Sequence, residues 1–113
     1  MLKIYHNPRC TKSRECLAFF DQTGEPYEIV RYLEAIPTFD ELKDIINKLG
    51  ISPIDLVRQK ESIWIENYKG KVMTDDEVIA AMISHPILIE RPIVINGNKA
   101  VIARPIEKTR EIL

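Results

Sequence analysis

The chain is poor in the residues that would mark a disulfide scaffold, a membrane protein or a nucleic-acid binder. Its 113 residues hold two cysteines, Cys10 and Cys16, too few for a disulfide framework, so free thiols and a cytoplasmic setting are expected. No apolar run approaches the roughly 18–20 residues that a membrane-spanning helix needs. Charge of neither sign is in excess. Sixteen Lys and Arg stand against 17 Asp and Glu for a net charge of −1, which argues against a nucleic-acid partner. A secretory leader is not expected, because the first residues already read as a strand. Repeats, linkers and low-complexity stretches are missing too. A single domain over residues 1–113 with one hydrophobic core is the expectation.

What is present is a sequence whose hydrophobic period changes in order. Leu2 to Tyr5 reads as a strand, broken by His6-Asn7-Pro8. From Thr11 to about Gln22 the spacing turns helical, with Cys16, Leu17, Phe19 and Phe20 on one side and Gly24 closing the helix. Tyr27 to Tyr32 reads as a second strand, which makes a βαβ unit with parallel strands. Thr38 and Glu41 form a capping box ahead of a helix ending at Gly50. Thr74 and Glu77 repeat the box for another. Between them, Ser52 and Pro53 read as the start of a short helix containing Ile54 to Val57. Pro92 to Ile95 and Ala100 to Ala103 are strands joined by the turn Asn96-Gly97-Asn98-Lys99. Pro105 then opens a final helix through Ile112. The order predicts an α/β fold: a thioredoxin-like, mixed four-stranded sheet with a helical insert over about 37–86.

Cys10 falls between the first strand and the first helix. A sulfur there faces unsatisfied N–H groups and the positive end of the helix dipole, which favour the thiolate, the nucleophilic form. His6, Arg9, Lys12 and Arg14 add positive charge to the loop, while Ser13 and the amides after Cys10 can donate to an oxyanion. Cys16 reads as a packed core thiol. Six helical steps set it ~9 Å from Cys10, beyond the ~4.4–6.8 Å that a disulfide allows. Ser13 also occupies the place of a second redox cysteine, so disulfide chemistry at Cys10 calls for an outside thiol. No zinc-like spacing surrounds Cys10 or His6, and no metal is expected.

Arg91-Pro92 and Arg104-Pro105 sit at the two junctions of the hairpin, hence at the same end of it. Two guanidinium forks near a thiolate would suit a tetrahedral oxyanion; pairing with Glu90 or Glu107 at the surface is an equal alternative from spacing alone. Pro92 is a candidate cis-proline. Arg58 is a further cation for the cleft, although Lys60 and Arg31 are equal candidates by pattern.

Three blocks of residues give the chain a specific resemblance. They are Tyr5-His6-Asn7-Pro8-Arg9-Cys10 followed by Ser13-Arg14, the stretch from Asp75-Asp76-Glu77 through His85-Pro86-Ile87-Leu88-Ile89-Glu90-Arg91-Pro92-Ile93-Val94, and Arg104-Pro105. From Ile4 to Leu113 the chain resembles the ArsC family of glutaredoxin-coupled arsenate reductases. That resemblance implies reduction of arsenate to arsenite, with Cys10 as nucleophile and Arg58, Arg91 and Arg104 binding the oxyanion. It also implies that Ser13 and Arg14 form the anion loop and that His6 lowers the thiol pKa. Glutathione would be the co-substrate and glutaredoxin the partner, with no bound cofactor, no membrane and a monomeric chain. Arg9 and Lys12 make the loop more basic than in the family's best-known type, and the longer members carry a C-terminal extension past the position of Leu113. Two other readings remain. One is a glutathione-dependent reductase of another substrate. The second is a redox regulator like the Spx proteins, which bind RNA polymerase, although those carry C-x-x-C where this chain has Ser13.

Overall fold

A computed structural model of the chain describes residues 2–113, which fall into two compact units. The first comprises residues up to Ala35 together with Arg91–Leu113, and the second is Ile36–Glu90.

The first unit is built on a four-stranded sheet of β1 (Leu2–Tyr5), β2 (Tyr27–Val30), β3 (Ile93–Asn96) and β4 (Lys99–Ile102), in the order β2-β1-β3-β4. β1 and β2 run parallel, and β3 is antiparallel to both β1 and β4. This is the thioredoxin-like mixed sheet that the element order predicts. Alternation along the strands sorts the side chains. Leu2 and Ile4 of β1, Val94 of β3 and Val101 of β4 share one face with Cys16 and Phe20 of helix α1 (Thr11–Thr23), and Ala103 and Ile112 complete that core. Exposed Lys3 takes the opposite face, as do buried Tyr5 and Ile93. Helix α1 stops at Gly24, whose φ of +74° is a left-handed conformation that a Cβ would disfavour. Gly97, at φ +62°, does the same for the hairpin turn.

Register places the functional end of the sheet. Tyr5 of β1 lies opposite Ile93 of β3, which lies opposite Ile102 of β4. One step further out, the His6 amide donates to the Val30 carbonyl at 2.8 Å and the Ala103 amide to the Pro92 carbonyl at 3.0 Å. The chain between β1 and α1 therefore emerges at the same edge as Arg91 and Arg104.

The second unit is helical. Helices α2 (Phe39–Leu49) and α4 (Asp75–Ser84) start with the two expected capping boxes, on Thr38/Glu41 and Thr74/Glu77, each worth about 1 kcal/mol to its helix. Their apolar faces supply buried Leu42, Ile45, Ile46, Val78, Ile79 and Met82. A single bridge pairs Val57 with Ile89. Among the described residues no helix is long and apolar enough to cross a membrane.

The sequence expectations need three corrections. The final helix from Pro105 through Ile112 is a 3₁₀ helix over Ile106–Glu111 with Pro105 as its cap, and the helix at Ser52 is a single 3₁₀ turn over Pro53–Leu56. Helix α3 (Ser62–Asn67) was not foreseen. Its six residues are too few for a periodic signal, and buried Trp64, stacked on Tyr68 with ring centroids 5.3 Å apart, anchors it.

Candidate active site

Cys10 is the cap residue of α1, in extended conformation, and its carbonyl accepts the first helical hydrogen bond from the Arg14 amide at 3.1 Å. Its sulfur lies at the first turn of the helix, where the amides of Ser13 and Lys12 act on it as donors. The loop before it is pinned by Asn7. The Asn7 carbonyl accepts from the Cys10 amide at 3.0 Å, its side-chain Oδ1 accepts from the Arg9 amide at 3.0 Å, and its own amide donates to Ser13 Oγ at 3.3 Å. Ser13 is fully buried, so its hydroxyl ties the loop to the helix while its backbone amide faces the sulfur. Asn7 was not among the site residues expected from sequence. An Asn ahead of Pro, folding back on its own backbone, is the signal that could have found it.

Two arginines reach the sulfur from far along the chain. Arg104 Nη2 lies 3.9 Å from Cys10 Sγ. Arg91 is buried, and its side chain hydrogen-bonds to the sulfur. Both precede cis-prolines: the peptide bonds Arg91–Pro92 and Arg104–Pro105 are cis, the first at the expected position and the second in addition to it. Of the alternatives that spacing left open, the structure shows both arginines at the sulfur. Cys10 is itself only 8% exposed. Burial works against ionisation. The Ser13 amide, the charge of Arg91, the Lys12 amide and the Arg91 hydrogen bond together outweigh it and bring the thiol below its ordinary pKa. Cys16 has the opposite balance. Fully buried and lacking such donors, it is pushed up to about 12 and remains a thiol.

His6 differs from the expectation that it adds positive charge. Burial, then the neighbouring charges of Arg31 and Arg14, push its pKa below the ordinary 6.5, so the ring is neutral at pH 7. Its Nδ1 is buried without a hydrogen-bond partner. Arg14 points outward and bonds Thr11 Oγ1 at 3.2 Å. Arg58 belongs to the second unit, where Glu61 and Glu90 both pair with it. Chemically, the first unit thus offers a thiol of lowered pKa with two guanidinium forks and helix amides around it. That arrangement can attack a tetrahedral anion and hold the charge that develops.

Comparison with known proteins agrees over nearly the whole chain. The model of the ArsC family matches residues 5–112. An arsenate reductase of Neisseria meningitidis serogroup A is 40% identical over 114 residues, spanning 99% of this chain and 97% of that protein. The uncharacterized protein YfgD of Escherichia coli K12 is 43% identical over 114 residues, spanning 99% and 96%. Among solved structures, an arsenate reductase from Vibrio cholerae superposes with a TM-score of 0.94 at 42% identity, covering 99% of this chain and 97% of that one. The match therefore embraces the Cys10 loop and both arginine–proline junctions, and the chain belongs to the ArsC family.

Proposed function

We propose that this chain is an oxidoreductase that reduces arsenate to arsenite with glutathione as co-substrate and glutaredoxin as partner. The observation that carries the reading is the Cys10 sulfur, set on the α1 N-terminus between Arg91 and Arg104. The names of the relatives in Neisseria and Vibrio support arsenate as the anion.

Charge dictates the order of steps. The Cys10 thiolate attacks arsenic, an S–As bond forms, and one arsenate oxygen leaves as water after protonation. Arg91, Arg104 and the loop amides offset the negative charge on the remaining oxygens. A glutathione thiolate then attacks the Cys10 sulfur. An S–S bond forms while the S–As pair of electrons stays on arsenic, taking As(V) to As(III), and arsenite departs. Glutaredoxin attacks the glutathione sulfur and returns Cys10 as thiolate. Two thiols are oxidised to one disulfide for each arsenate reduced. The outside thiol is required because Cys16 is buried and protonated. For the same reason, and with Ser13 fixed on Asn7, an intrachain disulfide switch is disfavoured.

The test is NADPH oxidation coupled through glutathione and glutaredoxin to arsenate. Turnover is expected in the natural chain, none in Cys10→Ser, and a loss of at least about tenfold in Arg91→Ala. Undiminished turnover in Cys10→Ser would overturn the assignment.

A further inference from the structure

Donors meet Cys10 at two ranges. The Ser13 and Lys12 amides and a hydrogen bond from Arg91 act on the sulfur itself. Arg104 Nη2, 3.9 Å from Sγ, is at the outer reach of an N–H···S bond. That gap suits an oxygen atom carried on the sulfur, since such an oxygen stands between the two groups at the shorter range of an N–H···O bond. The arsenate sequence never places one there: its sulfur bonds first to arsenic and then to sulfur. Nor does the chain hold a thiol that could displace an oxygen from Cys10. Cys16 is fully buried, with its pKa pushed up to about 12, and the Ser13 hydroxyl is tied to the Asn7 amide. An oxygen on Cys10 would therefore remain until an outside thiol arrives.

We propose that the same site reduces hydroperoxides, hydrogen peroxide being the smallest, through a sulfenic acid on Cys10. The proposal rests on the reading of Cys10 as the nucleophile. Its thiolate attacks one peroxide oxygen. An S–O bond forms and the O–O bond breaks, and the electron pair of that bond leaves on the far oxygen, which takes a proton and departs as water or an alcohol. Sulfur loses two electrons and the peroxide gains them. Negative charge grows on oxygen beside the sulfur, where Arg91 and Arg104 offset it. An outside thiolate then attacks the Cys10 sulfur, forming an S–S bond and expelling hydroxide, and a second thiol returns Cys10. For hydrogen peroxide the sum is one peroxide and two thiols to one disulfide and two waters. Ionisation alone does not make this an activity. A thiolate loses nucleophilicity as its pKa falls, so each ionised Cys10 is slower than an ordinary thiolate unless the departing oxygen is assisted. The guanidinium groups supply that assistance.

The experiment compares rates per thiolate. In a Cys16→Ala background, loss of the Cys10 thiol is followed against pH with hydrogen peroxide and, separately, with iodoacetamide, which expels iodide and needs no donor for a departing oxygen. Free glutathione is the reference. Dividing each rate by the ionised fraction, taken from the alkylation profile, removes the effect of pKa. Per thiolate, Cys10 is expected to react with peroxide at least about tenfold faster than glutathione, and with iodoacetamide no faster. Dimedone should trap the oxidised product on Cys10. Arg104→Ala should lower the peroxide rate about tenfold while its iodoacetamide rate stays close to that of the natural residue, which also shows that the variant is folded. Arg104→Lys, which keeps a charged donor, should recover part of the loss. A peroxide rate per thiolate at or below that of glutathione, or one unchanged in Arg104→Ala, would overturn the activity. No arsenate is present. A chain that passes this test yet fails to reduce arsenate contradicts the substrate reading alone, and one that reduces arsenate through Cys10 yet meets peroxide only at the rate of glutathione contradicts the peroxide activity alone.

Discussion

Arg104 Nη2 stands 3.9 Å from Cys10 Sγ although 94 positions separate the two residues. That distance is at the outer reach of an N–H···S bond, whereas Arg91 both bonds to the sulfur and lowers its pKa by charge. The two arginines should therefore separate in function. Arg91→Ala is expected to raise the thiol pKa, seen as an alkylation profile moved to higher pH. Arg104→Ala should leave that profile nearly in place while raising the KM for arsenate about tenfold or more, as loss of a charged hydrogen-bond partner does. Equal pKa shifts in the two variants would contradict the division.

The loop geometry depends on Asn7 and Ser13. Ser13→Ala leaves the buried Asn7 amide without its acceptor, a cost of about 1–3 kcal/mol. Urea unfolding should show that loss together with slower alkylation of Cys10 at pH 7. A variant with unchanged stability would mean that the hydroxyl does not hold the loop.

His6 makes stability fall in mild acid. Its folded pKa lies below the ordinary 6.5, so between those two values the unfolded chain binds more protons than the folded one, and stability rises with pH there. Its contribution is complete above about pH 6.5 and is progressively lost as pH falls toward the folded value. Thermal melting from pH 7 to pH 5 should show this slope, reduced in His6→Asn. An identical slope in the variant would place the acid sensitivity elsewhere.

Cys16 is a core residue. Cys16→Ala is expected to keep full arsenate turnover and to lose about 1–2 kcal/mol of stability through the cavity it leaves. Peroxide treatment of the natural chain should yield no Cys10–Cys16 disulfide by mass spectrometry. A crosslink between them would show that the first turns of α1 unwind.

Much of this was legible in the residues themselves. Ile4, Val94 and Val101 carry the strand alternation, and Thr38 and Thr74 announce their helices through Glu41 and Glu77, three positions on. Local rules suffice there because each signal lies within one element. Cys10 was readable for the same reason: a thiol at a strand-to-helix junction has its helix amides fixed by the next few residues. Helix α3 escaped because a six-residue helix held by Trp64 and Tyr68 depends on packing rather than period. The neutral state of His6 escaped because burial is a property of the folded chain. The alternatives for Arg91 and Arg104 stayed open until strand register brought Ile93 and Ile102 level with Tyr5.

The central claim is that groups from separate stretches of the first unit bias Cys10 toward the thiolate. The most direct measurement is its thiol pKa in the Cys16→Ala background, from alkylation rate against pH, with and without arsenate or sulfate. The account predicts a midpoint below the ordinary 9.0, and a change in alkylation when either anion occupies the arginines. A midpoint at or above that value, indifferent to both anions, would contradict it.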